Sequence, residues 1–380
     1  MLFDYLDRGD RRYQQIGWLL ALCWIIAAFP DLVATFFGYR ATNDISVTPV
    51  WLKALRDIAT LFVALYFTRH LNRKNLIWRI AAVMVFVAYV IYGIGHGFAL
   101  AIALRGSLWM LALVWCMTAD AGGCRRLYAV ALGVFNIVLP VAIGVSLILG
   151  LLGVGMYFES VGPYERNPGL FLTPSATAFM ACLIFLLSPA GRVNGLKSGL
   201  MGVLTLSGIF FINAALLFGR LNRWIYLLSI AAIVVILMAL GSEGIISVVS
   251  WMASFLRGSN AVSLTLGTRV LIILDTISKI TVAGSYPIGL NIAANQEIEV
   301  FFPDNAYLSL AYAYGVVGMI LSVLITAASL RAKNFGFFIL VFIAGLFYVW
   351  FENLLFCVLV GLALNSHLHG IMRDFSAKKI

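Results

Sequence analysis

The hydrophobic residues of this chain fall into long continuous runs that are separated by short polar segments. A helix needs about 20 residues to cross the roughly 30 Å hydrocarbon core of a bilayer, and twelve runs come close to that length or exceed it. The runs are 14–38, 51–68, 78–98, 100–119, 127–154, 172–189, 197–218, 223–240, 244–257, 306–330, 335–351 and 353–370. Backbone groups in lipid must pair within their own segment, and the runs lack the alternation of membrane β-strands. Each run is therefore predicted to be a helix.

The composition supports a membrane location. Hydrophobic residues make up 62% of the 380 residues and charged residues 11%, whereas soluble domains have roughly 45–50% apolar and about 25% charged residues. We therefore predict an all-α polytopic membrane protein, with about twelve transmembrane helices in a single domain over 1–380. The net charge is +10, but nucleic-acid binding is not expected. The basic residues lie between the apolar runs, where they set membrane orientation.

The distribution of Lys and Arg predicts that both termini lie in the cytoplasm. With the N-terminus inside, alternation of the runs places most basic residues on the cytoplasmic side, as the positive-inside rule requires. Ten basic residues fall on the outer side, and among them Arg166, Arg220, Arg223, Arg257 and Arg269 lie beside or between the longest outer loops. Because they resist this rule beside the outer loops, they indicate an anionic ligand at the outer face.

Two polar segments are assigned to that outer face. The first is 155–171, and the second is 258–305, the large loop between predicted helices nine and ten. The five cysteines and four histidines are scattered and form no CxxC pair, so neither a metal site nor a disulfide framework is predicted.

The passage from 285 to 320 contains a recognisable order of residues. Pro287 and Gly289 are followed by Asp304-Asn305-Ala306-Tyr307-Leu308 and then by Gly315 and Gly318, and Arg269 lies near the start of the preceding loop. This order resembles the loop-to-helix passage of the Wzy-type superfamily, which comprises polysaccharide polymerases and O-antigen ligases. Ligases generally carry a histidine before the asparagine, so Asp304 favours a polymerase.

Two further blocks follow the pattern of the same family. Arg166-Asn167-Pro168-Gly169-Leu170-Phe171, with Thr173-Pro174-Ser175 behind it, is similar to the family's entry into a helix. Gly241-Ser242-Glu243-Gly244 stands where many members have Ser-Arg-Gly, so a role for that arginine does not transfer to this chain.

The resemblance implies a GT-C-like architecture in the bacterial inner membrane. It also implies an inverting, metal-independent glycosyl transfer at the periplasmic face that uses no cofactor. The donor and the acceptor would both be glycans linked to undecaprenyl pyrophosphate. The lipid bilayer is a further partner, and the resemblance leaves room for a chain-length regulator.

The chemistry of that transfer assigns expected roles. Arginine pairs bidentately with phosphate oxygens, which suits Arg166 and Arg269 to the pyrophosphate leaving group. Asp304 would be the general base on the acceptor hydroxyl, although it also fits a helix cap. Substrate contacts are expected from Asn305, Tyr307, Arg220, Arg223 and Glu165. For the arginines the alternative is a headgroup contact, and for Glu165 it is a solvated loop acid.

Three rival functions remain open at this stage. The first is an O-antigen ligase that transfers glycan to lipid A core, and the second is a transporter or flippase for lipid-linked oligosaccharide. The third is a ligand-binding or scaffold membrane protein. Transporters often contain two related halves, and no internal repeat is visible in this sequence.

Overall fold

The structure is a computed structural model, and over the residues that it describes the chain is helical apart from one β-hairpin. The described residues are 8–37, 47–70, 73–95, 100–151, 156–161, 164–166, 169–171, 173–188, 192–205, 306–331, 335–348 and 350–377. The helices are α1 (Arg8–Phe36), α2 (Val50–Phe67), α3 (Arg73–Gly95), α4 (Leu100–Met117), α5 (Ala121–Leu151), α6 (Pro174–Leu187), α7 (Arg192–Leu204), α8 (Ala306–Arg331), α9 (Phe335–Phe347), α10 (Leu354–Ala363) and α11 (Leu368–Ala377). A short 3-10 turn, Trp350–Glu352, separates α9 from α10.

Every predicted run that falls on described residues contains a helix. Among the described residues, three straight segments are long and apolar enough to cross a bilayer by length and composition: Asp10–Phe36, Asn75–Gly95 and Ala121–Leu149. The total of twelve spans stays a prediction, because the runs 223–240 and 244–257 and the loop 258–305 lie outside the described residues.

A hairpin occupies the first predicted outer segment, 155–171. Its strands are β1 (Met156–Val161) and β2 (Tyr164–Arg166), which pair in antiparallel orientation with Met156 opposite Arg166. The sequence predicts only a loop here, so the hairpin is an addition to the helical architecture.

The outer surface of the first helices is apolar. Along α2 the exposed large side chains are Trp51, Leu55, Ile58, Phe62 and Tyr66, and α1 and α3 expose similar rows of leucine, isoleucine, valine and phenylalanine. Water does not favour a continuous apolar surface of this kind, whereas lipid does. The protein is therefore an α-helical membrane protein.

One end of the bundle, which we call the basic end, collects the starts of α1 and α5 and the end of α2. Arg125 Nη2 forms an ion pair with Asp10 Oδ2 at 2.8 Å, so α1 and α5 run parallel from this end. Arg126 Nη2 donates a hydrogen bond to the carbonyl oxygen of Phe67 at 3.3 Å, so α2 runs the opposite way and ends here. The described helices thus alternate in direction as the sequence predicts for this part of the chain.

A buried arginine, Arg79, lies at the basic end between α3 and α4. Arg79 is 2% exposed. Its Nε donates to Thr118 Oγ1 at 2.9 Å, and its Nη2 donates to the carbonyl oxygen of Thr118 at 3.2 Å. The C-terminus of a helix carries unpaired carbonyl groups and partial negative charge. Arg79 therefore satisfies the end of α4 and neutralises its dipole.

The last predicted span, 353–370, is wrong as a single helix. The chain bends by 86° between Leu354–Ala363 and Leu368–Phe375, so α10 is short and α11 lies across the basic end. Leu368 and Ile371 are buried against the core while Arg373 is exposed. The amphipathic face of α11 covers the bundle end, and only its first three residues, 368–370, belong to the predicted span.

The predicted span 306–330 also departs from a straight helix. A side chain at Gly318 would overlap the carbonyl oxygen of Leu310, although eight residues of straight helix separate two positions by about 12 Å. Helix α8 therefore bends sharply between these residues, and Val317–Leu330 forms its own apolar stretch. Gly318 of the family-like passage stands at a close approach of two backbone segments, where only glycine fits.

Candidate functional site

The structure describes only part of the predicted site. Asp304, Asn305, Arg269, Arg220 and Arg223 lie outside the described residues. Glu165 and Arg166 belong to strand β2, of which the backbone is described. The roles of the predicted catalytic residues therefore stay predictions.

Tyr307 is the predicted site residue whose side chain is described. Its hydroxyl donates a hydrogen bond to the carbonyl oxygen of Val341 at 3.4 Å. A β-carbon at Gly345 would come within 2.8 Å of its ring, so the ring rests directly on the backbone of α9. These contacts join α8 to α9, and the predicted contact of Tyr307 with substrate stays a prediction.

The segment after Arg166 forms a tight turn that we call the outer turn, Gly169–Phe171 with Thr173. Gly169 has a φ of +61°, a conformation that glycine adopts without the steric cost of a side chain. Thr173 caps α6 by accepting a hydrogen bond from the amide of Ala176 at 3.2 Å. The Gly-Leu-Phe element of the family-like block therefore directs the chain into α6, with Leu170 buried at 3% exposure.

An ion pair lies inside the bundle on α2. Both the Nε and the Nη2 atoms of Arg56 approach Oδ1 of Asp57 at 2.8 Å. The guanidinium lies over the ring of Trp24, with 4.1 Å between the guanidinium carbon and the ring centroid. Trp24 Nε1 in turn donates to Thr60 Oγ1 at 2.9 Å. The arginine is thus held in a fixed orientation by a carboxylate on one side and an indole ring on the other.

Helix α2 turns its polar residues inward and its apolar residues outward. The exposed row from Trp51 to Tyr66 occupies one side, whereas Arg56 and Asp57 retain only 17% and 15% side-chain exposure. This arrangement reverses that of a soluble amphipathic helix. Ionisable residues that face the interior of a membrane bundle usually belong to a functional site.

The pair lies at about the middle of the bundle. Phe67 marks the end of α2 at the basic end, and Asp57 precedes it by ten residues (67 − 57) on the same helix. Ten residues of helix rise about 15 Å, which is half of a hydrocarbon core of roughly 30 Å.

Helix α10 begins at the same depth. Asn365, just past the end of α10, donates hydrogen bonds to the carbonyl oxygens of Cys116 and Ala119 at the end of α4, so α10 also ends at the basic end. With ten residues, α10 rises about 15 Å. Its N-terminus, and the 3-10 turn before it, therefore lie within the bundle, where Trp350 is 1% exposed. Non-helical backbone at this depth occurs where it is buried in protein or lines a cavity.

The side chain of Phe171, in the outer turn, contacts residues of both α1 and α10. Its ring centroid lies 6.4 Å from that of Trp24 and 5.4 Å from that of Phe356 on α10. Helices α2 and α10 also pack against each other. We call Trp24, Arg56, Asp57, Thr60 and Phe171 the intrabundle site. Because it includes Phe171, this site adjoins the outer turn, the segment that follows Arg166.

The sequence contained the signal for this site, but its depth was not evident. Arg56 and Asp57 are adjacent in sequence and stand near the start of the run 51–68. Because α2 already begins at Val50, the pair lies nearly two turns inside the helix. The contact of Trp24 with Phe171 joins distant parts of the chain and has no sequence signal.

The buried carboxylate of Asp31 binds the backbone of residues 47 and 48, just before α2. Asp31 is 2% exposed, and its Oδ1 accepts hydrogen bonds from the amides of Val47 and Thr48 at 2.7 and 3.0 Å. The hydroxyl of Thr48 donates to the carbonyl oxygen of Ala27 at 3.1 Å. Asp31 follows Pro30 in the C-terminal part of α1, so its carboxylate links this part of α1 to the segment just before α2.

We expect Asp31→Ala to lower the unfolding free energy by about 1–3 kcal/mol, because two amides lose a charged acceptor in a buried position. Asp31→Asn keeps an acceptor oxygen at the same place and should lose less than half as much. Thermal unfolding of the purified protein in one detergent checks this order. Equal melting temperatures for the alanine variant and the natural protein would contradict the anchoring role.

Comparison of the sequence with models of known protein families gives no match, and comparison with curated proteins gives none at a significant level. Within the described ranges, no group of three or more His, Cys, Asp or Glu side chains is placed to hold a metal ion. The assignment of function therefore depends on the residues of this chain and on the resemblance of its three blocks.

Proposed function

We propose that this protein is a glycosyltransferase of the bacterial inner membrane that polymerises lipid-linked glycan repeat units at the periplasmic face. The observation that supports the proposal is the packing of the outer turn on the intrabundle site through Phe171 and Trp24. This contact joins the segment after Arg166 to Trp24, which lies against the guanidinium of the half-buried Arg56–Asp57 pair. A lipid-borne anionic substrate would meet a cationic group there, between the membrane interior and the outer face.

The proposed reaction is a displacement at the anomeric carbon of the donor. The acceptor hydroxyl attacks that carbon and gives its proton to Asp304, while the bond to the pyrophosphate oxygen breaks and lipid pyrophosphate leaves with the electron pair. Arg166 and Arg269 stabilise the charge that develops on the leaving group. Asn305, Tyr307, Arg220, Arg223 and Glu165 contact the glycans.

The proposed topology puts the basic end in the cytoplasm. Asp10, Arg125 and Arg126 meet there, as do Arg79 and the helix α11, and basic residues favour the cytoplasmic side. Both termini would then be cytoplasmic, with about twelve spans in a GT-C-like arrangement. The hairpin and the loop 258–305 would be periplasmic.

The activity test uses the full chain purified into lipid and supplied with undecaprenyl-pyrophosphate-linked repeat units alone. The natural protein should elongate these units without metal. Arg166→Ala and Arg269→Ala should each lower the rate about 100-fold, which is the usual effect of removing one donor from a charge-stabilising site. Arg373→Ala, an exposed arginine on α11, is the matched control and should keep full activity.

Two outcomes would contradict the proposal, and each would identify a different function. Transfer that occurs only when lipid A core is added would identify a ligase. A protein that never elongates the units but moves them across vesicle membranes would identify a transporter. The transporter is the second candidate because α9 and α10 are separated by a break within the bundle, and discontinuous helices are typical of transporter binding sites.

A further inference from the structure

The charge on Arg56 is the feature of the intrabundle site that the proposed catalytic residues do not explain. A buried ion pair is a poor source of stability, because apolar residues of the same volume often stabilise a protein equally well or better. The pair also lies at about the middle of the bundle, where charged residues are costly. A structural role for the pair therefore has little energetic basis.

The geometry of the pair leaves capacity for another acceptor. An arginine side chain has about five N–H donors in a planar fork. The two contacts of Arg56 use Nε and Nη2, and both end on one oxygen of Asp57. The ring of Trp24 covers one face of the guanidinium and fixes its plane. A fork held in this way is suited to bidentate contact with a phosphate group.

The position of the pair favours a ligand that arrives through the membrane. The opposite side of α2 faces lipid with its row of exposed apolar residues, and Phe171 of the outer turn contacts Trp24 from another part of the chain. A phosphate at Arg56 would lie beneath the outer turn, while an isoprenoid chain attached to it could remain in the apolar layer. A soluble anion has no comparable reason to bind at this depth.

We propose that Arg56 is a binding site for the phosphate of a membrane lipid, and that Asp57 is the counter-ion that holds the guanidinium when no ligand is bound. The identification of the ligand as an isoprenoid pyrophosphate rests on the proposed function, whereas the proposal of an anion site at Arg56 does not. Asp57 and the lipid phosphate compete for the same guanidinium. Removal of the carboxylate should therefore leave lipid binding unchanged or strengthen it.

The experiment measures binding without turnover. The full chain is placed in nanodiscs of phosphatidylcholine, and equilibrium binding of radiolabelled undecaprenyl pyrophosphate is measured with no acceptor present. Arg56→Gln should weaken binding at least tenfold, and Asp57→Asn should bind as tightly as the natural protein or more tightly. Arg69→Gln is the matched control and should bind normally. Arg69 directly follows α2 and also lies over an aromatic ring, 4.7 Å from Tyr66, but at the basic end.

Several results would overturn the proposal. Normal binding by Arg56→Gln is one. An equal loss in Asp57→Asn and Arg56→Gln is another, because it would mean that the pair is purely structural. If inorganic pyrophosphate binds the natural protein as tightly as the lipid does, the ligand is a soluble anion and the lipid assignment fails. Should Arg56→Gln not fold, Arg56→Lys keeps the charge without the planar fork; it should still bind more weakly, and normal binding would contradict the proposal.

The binding assay also separates this inference from the proposed enzyme activity. Loss of binding in Arg56→Gln, in a protein that never elongates glycan, would uphold the lipid site and reject the polymerase. Normal binding and normal elongation by Arg56→Gln would uphold the polymerase and reject the lipid site.

Discussion

Replacing Gly133 with leucine is expected to abolish the folded protein. Helices α1 and α5 form the most extensive helix pair among the described elements. At their contact a β-carbon on Gly133 would overlap the carbonyl oxygen of Gln14, and one on Gly17 would overlap that of Val130. Small residues allow two membrane helices to approach backbone to backbone. Leucine would force the helices apart at a cost above the about 1–3 kcal/mol of an ordinary overpacked core.

The matched control for this substitution lies on the same helix. A β-carbon at Gly144 would meet nothing within 4 Å, so Gly144→Leu should fold and melt as the natural protein does. Gly133→Ala should show an intermediate loss. Size-exclusion chromatography followed by a thermal melt in the same detergent measures all three variants. A monodisperse Gly133→Leu protein with an unchanged melting temperature would show that the helices are not packed in this way.

The helices could be predicted from sequence because one physical requirement determines them. A segment in lipid must satisfy its own backbone hydrogen bonds, so apolar length alone indicates where helices lie. Pairing of helices has no such local signature. Gly17 and Gly133 share their runs with other glycines, such as Gly38 and Gly144, and nothing in either segment predicts that these two meet.

The predicted span 353–370 contains local sequence signals for a helix break, but its high apolar content concealed them. Asn353 accepts hydrogen bonds from the amides of Leu355 and Phe356, as an N-cap does, and so marks the start of α10. Asn365 marks its end. The predicted run includes only the first three residues of α11, 368–370, and the helix itself packs across the bundle end.

The candidate site was predictable only in its chemistry. The outer arginines and the family-like blocks pointed to an anionic ligand at the outer face, and Arg166 does precede a structured turn. The depth of Arg56 and its contact with Trp24 could not be inferred, because both depend on where α2 begins and on how α1 packs against it. The roles of Asp304 and Arg269 stay predictions, since both residues lie outside the described part of the chain.

The two asparagines that flank α10 should respond very differently to the same substitution. Asn365 is 4% exposed, and its Nδ2 donates to the carbonyl oxygens of Cys116, Met117 and Ala119 at 3.0, 3.2 and 2.9 Å. Asn365→Asp removes these donors and places a carboxylate at the negative end of the α4 dipole. We expect a loss of at least about 3 kcal/mol, because buried carbonyl groups remain unpaired beside a buried charge.

Asn353→Asp is the control, and it should lose clearly less stability than Asn365→Asp does. The Oδ1 atom of Asn353 only accepts hydrogen bonds, from two amides at the N-terminus of α10. Aspartate accepts them equally well, and its charge is favoured at the positive end of a helix. Its melting temperature should therefore fall less than that of Asn365→Asp, which should melt much earlier or fail to purify. Equal effects at both positions would mean that the direction of α10 relative to α4 is not the one described, because the sign of each effect follows from the helix end that the side chain meets.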